Sequence, residues 1–440
     1  MDKLLIKNGI IATLGEKNRV LHGHSLSISD GKIEQIAPAE SFADMRFDQV
    51  IDAHNRVVLP GFINAHMHFY SSFAAGLSKA EPAHNFPEVL NNLWWRLDKR
   101  LTLVDCYHSA LVACIDSIKH GTTTSIDHHA SPFDLRGSLD QIARAVVESG
   151  VRASLCYEVS DRDGPRIAAR GIEENVDFLR HGCDHERLHG LFGLHASFTL
   201  EDRTLARSVE AARAFDAGFH IHVAEDASDQ TLTRRKHHVS VGRRLADAGV
   251  LGPKTICAHG VFLGRDERKL LRESDTILTH QPQSNMNNGV GILDLVEVMD
   301  SGQLVGLGTD AMTVNMLEEL RTAVWLQRVH HRNPSVGFDQ ATTALIRNNA
   351  IIANRFWECG LGELSPGFAA DIAILDYDPP TPLDESSFTG HLVFGMARGR
   401  VDTTIVAGKV LMSGGELVDL DEARIKARSR ELAAELWKRF

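Results

Sequence analysis

From Val57 to Gly360 the chain alternates short apolar runs with amphipathic stretches, and this alternation limits the available folds more than any other feature. The runs are Val57–Ala65, Thr123–Asp127, Val151–Tyr157, Leu191–His195, Phe219–Val223, Thr255–Ala258, Thr276–Thr279 and Leu304–Gly308. Val104–Lys119, Leu139–Ser149, Asp202–Ala217 and Leu317–His330 lie between them with helical periodicity. Strands that alternate with helices form a parallel sheet, and eight of them favour a closed (β/α)8 TIM-like barrel over an open doubly wound sheet.

The two ends read differently. Leu4-Leu5-Ile6 and Ile10-Ile11-Ala12 flank Asn8-Gly9, and Ser27-Ile28-Ser29 and Lys32-Ile33 flank Asp30-Gly31. Both dipeptides signal two-residue hairpins, whose central residues need positive φ. Strand character returns at Asp371–Asp376 and Thr403–Ala407, followed by a charged helix over 421–440 with Asp421 as its N-cap and Leu432 and Leu436 on its apolar stripe. The expected organisation is an α/β chain. Residues 57–360 form the barrel, while 1–56 and 361–440 join as a small β-sandwich domain with a terminal helix.

Lys plus Arg number 47 against 58 Asp plus Glu, a net charge of -11, which argues against a nucleic-acid partner because phosphate binding needs a basic footprint. No stretch approaches the ~20 apolar residues of a membrane span, and Met1 to Gly9 carry no apolar signal core. Cys106, Cys114, Cys156, Cys183, Cys257 and Cys359 form no C-x-x-C pair, as expected of reduced thiols in the cytoplasm.

With 23 histidines, roughly one His-x-His pair is expected by chance, so such a pair means little alone. There are three: His22/His24, His66/His68 and His220/His222. His185-Glu-Arg-Leu-His189 matches the H-E-x-x-H pattern of zinc proteases, which requires one long helix. Gly190 and a strand-like run follow at once, so a solvated helix end is the better reading. Position lifts His66 and His68 above chance: they end the first barrel run, and His195, His222, His259 and Asp310 each end another. Barrel active sites are built at the C-terminal ends of the strands.

Pro60-Gly-Phe-Ile-Asn-Ala-His-Met-His68 resembles the first-strand motif of the amidohydrolase superfamily. His220-Ile-His-Val-Ala-Glu225, Cys257-Ala-His-Gly260 and Leu307-Gly-Thr-Asp310 resemble its later metal and catalytic motifs, and Gly362–Ala373 its return to the β module. The likeness spans nearly the whole chain in order. It is nearest the cytosine-deaminase and triazine-hydrolase branch, and within it the SsnA-type aminohydrolases, through Asn92–Leu97, Ile126–Pro132 and Ser284–Asn288.

The resemblance implies a metal held by His66, His68, His222 and Asp310: Zn2+ first, with Fe2+ compatible with the same N/O donors. His220 shares the parity of His222 but lies one layer deeper. Dinuclear relatives carry a lysine at the end of the fourth strand; here that place reads Leu194-His195-Ala196, so one metal per chain is expected. Asp310 would take a proton from the nucleophilic water, His259 would hold that water in line, and Glu225 would protonate a ring nitrogen and then the departing amine. His195 matches the branch's substrate-contacting histidine, although the usual Pro-Tyr after it is Ser197-Phe198 here. Asn285 and one of His128 or His129 are further substrate-binding candidates, since alternation lets only one of the pair face inward. Trp94 and Trp95 are read as core rather than as a lid.

The resemblance implies a homo-oligomeric hydrolytic deaminase of an amino-substituted N-heterocycle, a purine, pterin, pyrimidine or triazine, and the scattered cysteines place it in the cytoplasm. Neutral recognition groups, and no basic residue after His68 until Lys79, favour a free base over a nucleotide. Loss of chloride or alkylamine from a triazine-like ring, and a non-catalytic binding member, are the alternatives.

Overall fold

The computed structural model describes residues 3–440. The alternating region folds as two all-parallel sheets in chain order, a TIM-barrel-type arrangement. Phe62–Met67, Thr122–Asp127, Arg152–Leu155 and Leu188–Gly190 make one; Phe192–Ala196, Phe219–Val223, Ile256–His259, Ile277–His280 and Val305–Leu307 make the other. The fourth barrel position is split at Leu191: Leu188–Gly190 pairs with the third strand and Phe192–Ala196 with the fifth. Parallel bridges Val159–Leu194 and Met67–Asp310 join the sheets at both seams. These strands are almost wholly buried, which is why they read as continuous apolar runs without alternation.

Asn349 stitches the seam between the first and eighth strands. Its Nδ2 donates to the carbonyls of Ile63 and Leu307 at 2.7 and 2.9 Å, and its Oδ1 accepts from the Leu307 amide at 2.9 Å. A fully buried amide satisfied on both ends fixes register as well as position.

The chain termini build two further sheets. One contains Lys32–Pro38, His24–Ser29, Lys3–Lys7 and Gln49–Asp52; the other runs from Glu416–Leu417 through Ile372–Asp376 and Val57–Pro60 to Val20–Leu21. Ile6, Ile11, Leu26, Ile28, Val58, Ile372 and Ile405 share one buried cluster between them. Asp30-Gly31 makes the expected hairpin, with φ of 53° and 75° and Ser29 opposite Lys32. Asn8-Gly9 does not. Asn8 has φ 56°, but Lys3–Lys7 and Ile10–Ala12 belong to different sheets, so both Ile6 and Ile11 reach the shared core.

Two other expectations need correction. Val57–Ala65 is two strands: Val57–Pro60 pairs antiparallel with Ile372–Asp376, and the first barrel strand begins at Phe62 after Gly61. The terminal helix, Glu422–Arg439, leans on the barrel helix Leu103–Lys119, with Leu436 buried, Trp437 Nε1 donating to the Phe73 carbonyl and Arg439 paired with Asp105. Asp421 caps it as expected, accepting from the Arg424 amide. His185–Arg187 form a turn leading into Leu188–Gly190, so the two protease-like histidines share no helix. Among the described residues no single helix is long and apolar enough to cross a membrane.

Candidate active site

The first barrel strand ends on His66 and Met67, with His68 immediately after. The eighth strand approaches it so closely that a Cβ on Gly308 would lie 2.7 Å from the His66 nitrogen and oxygen. Beyond that glycine, the Thr309 and Asp310 amides both donate to the His66 carbonyl, and Asn64 donates to Thr309 Oγ1 at 2.7 Å. Asp310 has φ 54° and His259, at the end of the sixth strand, φ 74°. Left-handed backbone at such residues costs about 1–3 kcal/mol and persists where the surroundings over-determine it. Here the Asp310 amide bond, and Gln281 Oε1 accepting from the His259 amide at 3.0 Å, do so.

His66, His68, His222 and Asp310 converge, with one donor atom from each within 4.8 Å of the others. His68 Nδ1 faces the His128 carbonyl at 2.6 Å and His222 Nδ1 the His195 carbonyl at 3.1 Å. A carbonyl can only accept, so both Nδ1 atoms carry a proton, and each ring in its neutral form presents a bare Nε2 to the site. Those two Nε2 atoms lie 3.2 Å apart, while Asp310 Oδ1 is 3.0 Å from His68 Nε2 and 3.7 Å from His66 Nε2. Ligands on a tetrahedral ion at ~2.05 Å stand about 3.3 Å apart, so the set fits a divalent cation. His66 Nε2 is buried with no hydrogen-bond partner, and its Nδ1 meets His220 Nε2 at 2.8 Å. His220 is therefore a support behind the ligands. Burial lowers the His66 pKa to about 4. Burial also opposes charge on His68, yet the Asp310 carboxylate outweighs it and raises His68 to about 8, the mark of a site that attracts positive charge.

Glu225, His259 and Asp310 form a second convergent group. His259 Nε2 lies 3.6 Å from Glu225 Oε2 and 3.8 Å from Asp310 Oδ2. Burial, then the negative Asp310 beside it, pushes the Glu225 carboxyl well above its ordinary range. Asp310 goes the other way: burial raises it, but the His66 and His68 imidazoles beside it hold it well below the usual carboxylate range. Ser284 Oγ also donates to Asp310. Two neighbouring carboxyls are thus pushed in opposite directions, the pairing acid–base chemistry needs.

The cleft above these groups is walled by His195, Trp95, Asp98, Glu158, Arg162 and Asn288, among others. His195 faces it as expected, with Nδ1 2.7 Å from Thr199 Oγ1. Asn285 does not line it: fully buried, its Oδ1 lies 2.9 Å from His259 Nδ1, and the half-buried Asn288, one helical turn on, lines the cleft instead. Neither His128 nor His129 lines it. Both still pair with neighbouring strands through their amides, so His128 points below the ligands, with Nε2 on the Leu194 and His220 carbonyls, and His129 points outward to Ser131.

Trp94 and Trp95 are not core. They belong to Phe86–Leu97, which crosses the barrel mouth and packs on Phe198, Val261 and Val290 from loops after the fourth, sixth and seventh strands. Glu158, Arg162 and Asp98 were not anticipated. Glu158 had a signal, since it directly follows the third apolar run; Asp98 and Arg162 had none. Burial raises Glu158 to about 7 and Asp98 to about 6, despite Arg162 between them.

The model of the Amidohydrolase family matches residues 57–411. The chain is 31% identical to the 5'-deoxyadenosine deaminase of Methanobrevibacter smithii, over 94% of this chain and 93% of that one. It is 30% identical to the 5-methylthioadenosine/S-adenosylhomocysteine deaminase of Carboxydothermus hydrogenoformans, over 98% of both. An adenosine deaminase from Xanthomonas campestris, solved with bound zinc, superposes with a TM-score of 0.88 over 99% of this chain and 98% of that one, at 20% identity.

Proposed function

Because this chain belongs to the amidohydrolase family, we propose that it is a metal-dependent aminohydrolase that removes an exocyclic amine from an N-heterocycle as ammonia. The observation that carries this reading is the junction of two groups at Asp310: a four-ligand set on one side and Glu225 with His259 on the other.

His66, His68, His222 and Asp310 would hold one divalent ion, Zn2+ by preference and Fe2+ as the alternative. Such an ion lowers the pKa of a coordinated water from ~16 toward ~7 and so supplies hydroxide at neutral pH. Asp310, held ionised by its histidines, receives the proton that the attacking water gives up. His259, buried and turned toward both carboxylates, keeps that water aligned on the electrophilic carbon. Glu225, whose carboxyl is pushed up by burial and by Asp310, donates to the adjacent ring nitrogen, so that electrons move onto nitrogen as the C–O bond forms. When the C–N bond breaks, Glu225, now ionised, relays the proton of the added hydroxyl to the amine, which leaves as ammonia; the carbon keeps the oxygen as an oxo group, and the proton held by Asp310 restores Glu225. His195 supplies a hydrogen-bonding edge to the bound ring.

All six cysteines are free thiols, which supports a reducing compartment such as the cytoplasm. A homo-oligomer is the expected assembly. The test is ammonia release from a panel of guanine, isoxanthopterin, cytosine, aminotriazine, 5'-deoxyadenosine and S-adenosylhomocysteine. Turnover of any of these supports the reading. Activity confined to peptides, esters or phosphorylated nucleotides, or chloride release from chlorotriazines without ammonia from any ring, overturns it.

A further inference from the structure

Resting on the deaminase reading, we propose that Glu158 and Arg162 read a cyclic amide, so that the ring undergoing deamination carries an N–H beside a carbonyl. Glu158 follows the third barrel strand, and its side chain is 5% exposed. Its carboxylate lies 3.5 Å from His128 Nδ1, 3.5 Å from Arg162 Nη2 and 4.0 Å from His195 Nε2. Each of these is longer than a good hydrogen bond, so the carboxylate faces the cleft with acceptor capacity unused.

Arg162 is equally enclosed, with its side chain 8% exposed. Nη2 is committed to Asp98 and Nε faces Asp163 at 3.5 Å, while Nη1 is buried without any partner. Trp95 lies across its guanidinium at 5.3 Å and fixes the plane. An orphaned donor on a buried arginine in the cleft wall is costly unless a ligand accepts from it.

Charge excludes an anionic ligand. Asp98, Glu158 and Asp163 surround Arg162, and Lys99 is taken up by Asp163 at 2.8 Å, so the cluster has no positive charge to spare. What it offers is a neutral ligand a donor and an acceptor side by side, the complement of an amide's C=O and N–H. Position restricts this to the reacting ring. Glu158 places an oxygen within 4.8 Å of a ring nitrogen of the metal ligand His222, beside the place where the reacting carbon must sit. Guanine, pterin and cytosine rings carry such an amide. A 6-aminopurine riboside has neither the ring N–H nor the carbonyl, so this chain is expected to differ in preference from the adenosine-derivative deaminases it resembles.

The test compares kcat/KM of the metal-loaded enzyme on guanine and cytosine with 1-methylguanine and 1-methylcytosine, and with 5'-deoxyadenosine. A site built to bond a ring N–H should reject the methylated rings by about 10²-fold or more. Glu158→Gln should remove most of that discrimination, chiefly through a higher KM on the parent rings, with metal content unchanged. Arg162→Lys keeps the carboxylates paired and should likewise raise KM. Ammonia from 5'-deoxyadenosine at an equal or better rate, or methylated rings accepted as well as their parents, would overturn the assignment while leaving the deaminase reading intact. No ammonia from any ring overturns both.

Discussion

The two sides of the barrel mouth are built on different principles. On the metal side, the reactive groups sit at strand ends, in backbone pinned by sheet and seam hydrogen bonds, and most are neutral imidazoles. On the opposite side, the wall is a cluster of buried ions, Asp98, Glu158, Arg162 and Asp163, carried by a loop after the third strand and by the segment crossing the mouth. Chemistry that tolerates little displacement is held by the scaffold, whereas selection of the ring is left to segments that can change without disturbing the strands. The side chains that perform the reaction and those that choose its substrate should therefore separate in mutational tests.

The largest effect belongs to the metal side. Purified protein should contain about one Zn2+ or Fe2+ per chain, and chelation should cut turnover by at least ~10³-fold, the several kcal/mol that such an ion contributes to the barrier. Metal analysis before and after chelation, with activity restored by adding the ion back, checks this. Two tightly bound ions in the barrel, or one at His185 and His189, would break the four-ligand assignment.

Next is Glu225→Gln, which should leave metal content near wild type while lowering kcat by about 10²-fold or more, because the lost group moves protons and binds no metal. Near wild-type turnover across pH would remove Glu225 from the scheme.

The contrast between the two sides also explains what could be read without coordinates. His66, His68, His195, His222, His259 and Asp310 stood out because a parallel barrel sends every strand end to one face, so a polar residue closing an apolar run has a known address, whereas Glu225 came from the family resemblance. The histidine pair after the second strand was misjudged because alternation gives the parity of a side chain but not its height. His128 lies a layer too low to line the cleft. Asn8-Gly9 announced a corner correctly and its partner strand incorrectly, since turn chemistry is local and sheet membership is not. Arg162 and Asp98 left no trace in the sequence. An arginine in a polar loop looks solvated until Asp98, from the segment across the mouth, is folded against it beside Glu158 and Asp163 of its own loop.

Asn285 tests the boundary between the two sides. Its Oδ1 accepts from His259 Nδ1, so it acts on the reaction through that imidazole and not on the substrate. Asn285→Ala should lower kcat by roughly 10-fold with KM and metal content little changed, the usual size of a lost supporting hydrogen bond. Asn285→Asp, which keeps the acceptor, should recover much of the loss. A rise in KM with kcat preserved would instead return Asn285 to the substrate-reading side.

The smallest effect should come from the wall itself. Trp95 lies edge-on to His195 at 5.9 Å and over the Arg162 guanidinium, yet it is only half-buried and makes no contact with the metal ligands in the stacking pattern around them. Trp95→Phe keeps an aromatic face but weakens the hold on Arg162, a change worth ~0.5–1 kcal/mol for a partly exposed cation–π pair. The expected result is a rise in KM of about 2- to 5-fold, with kcat and metal content unaltered. Steady-state kinetics and a melting curve on the same variant separate two roles. A tryptophan that merely fills space would lower Tm and leave KM alone, whereas one that orients the reading arginine would move KM with little change in Tm.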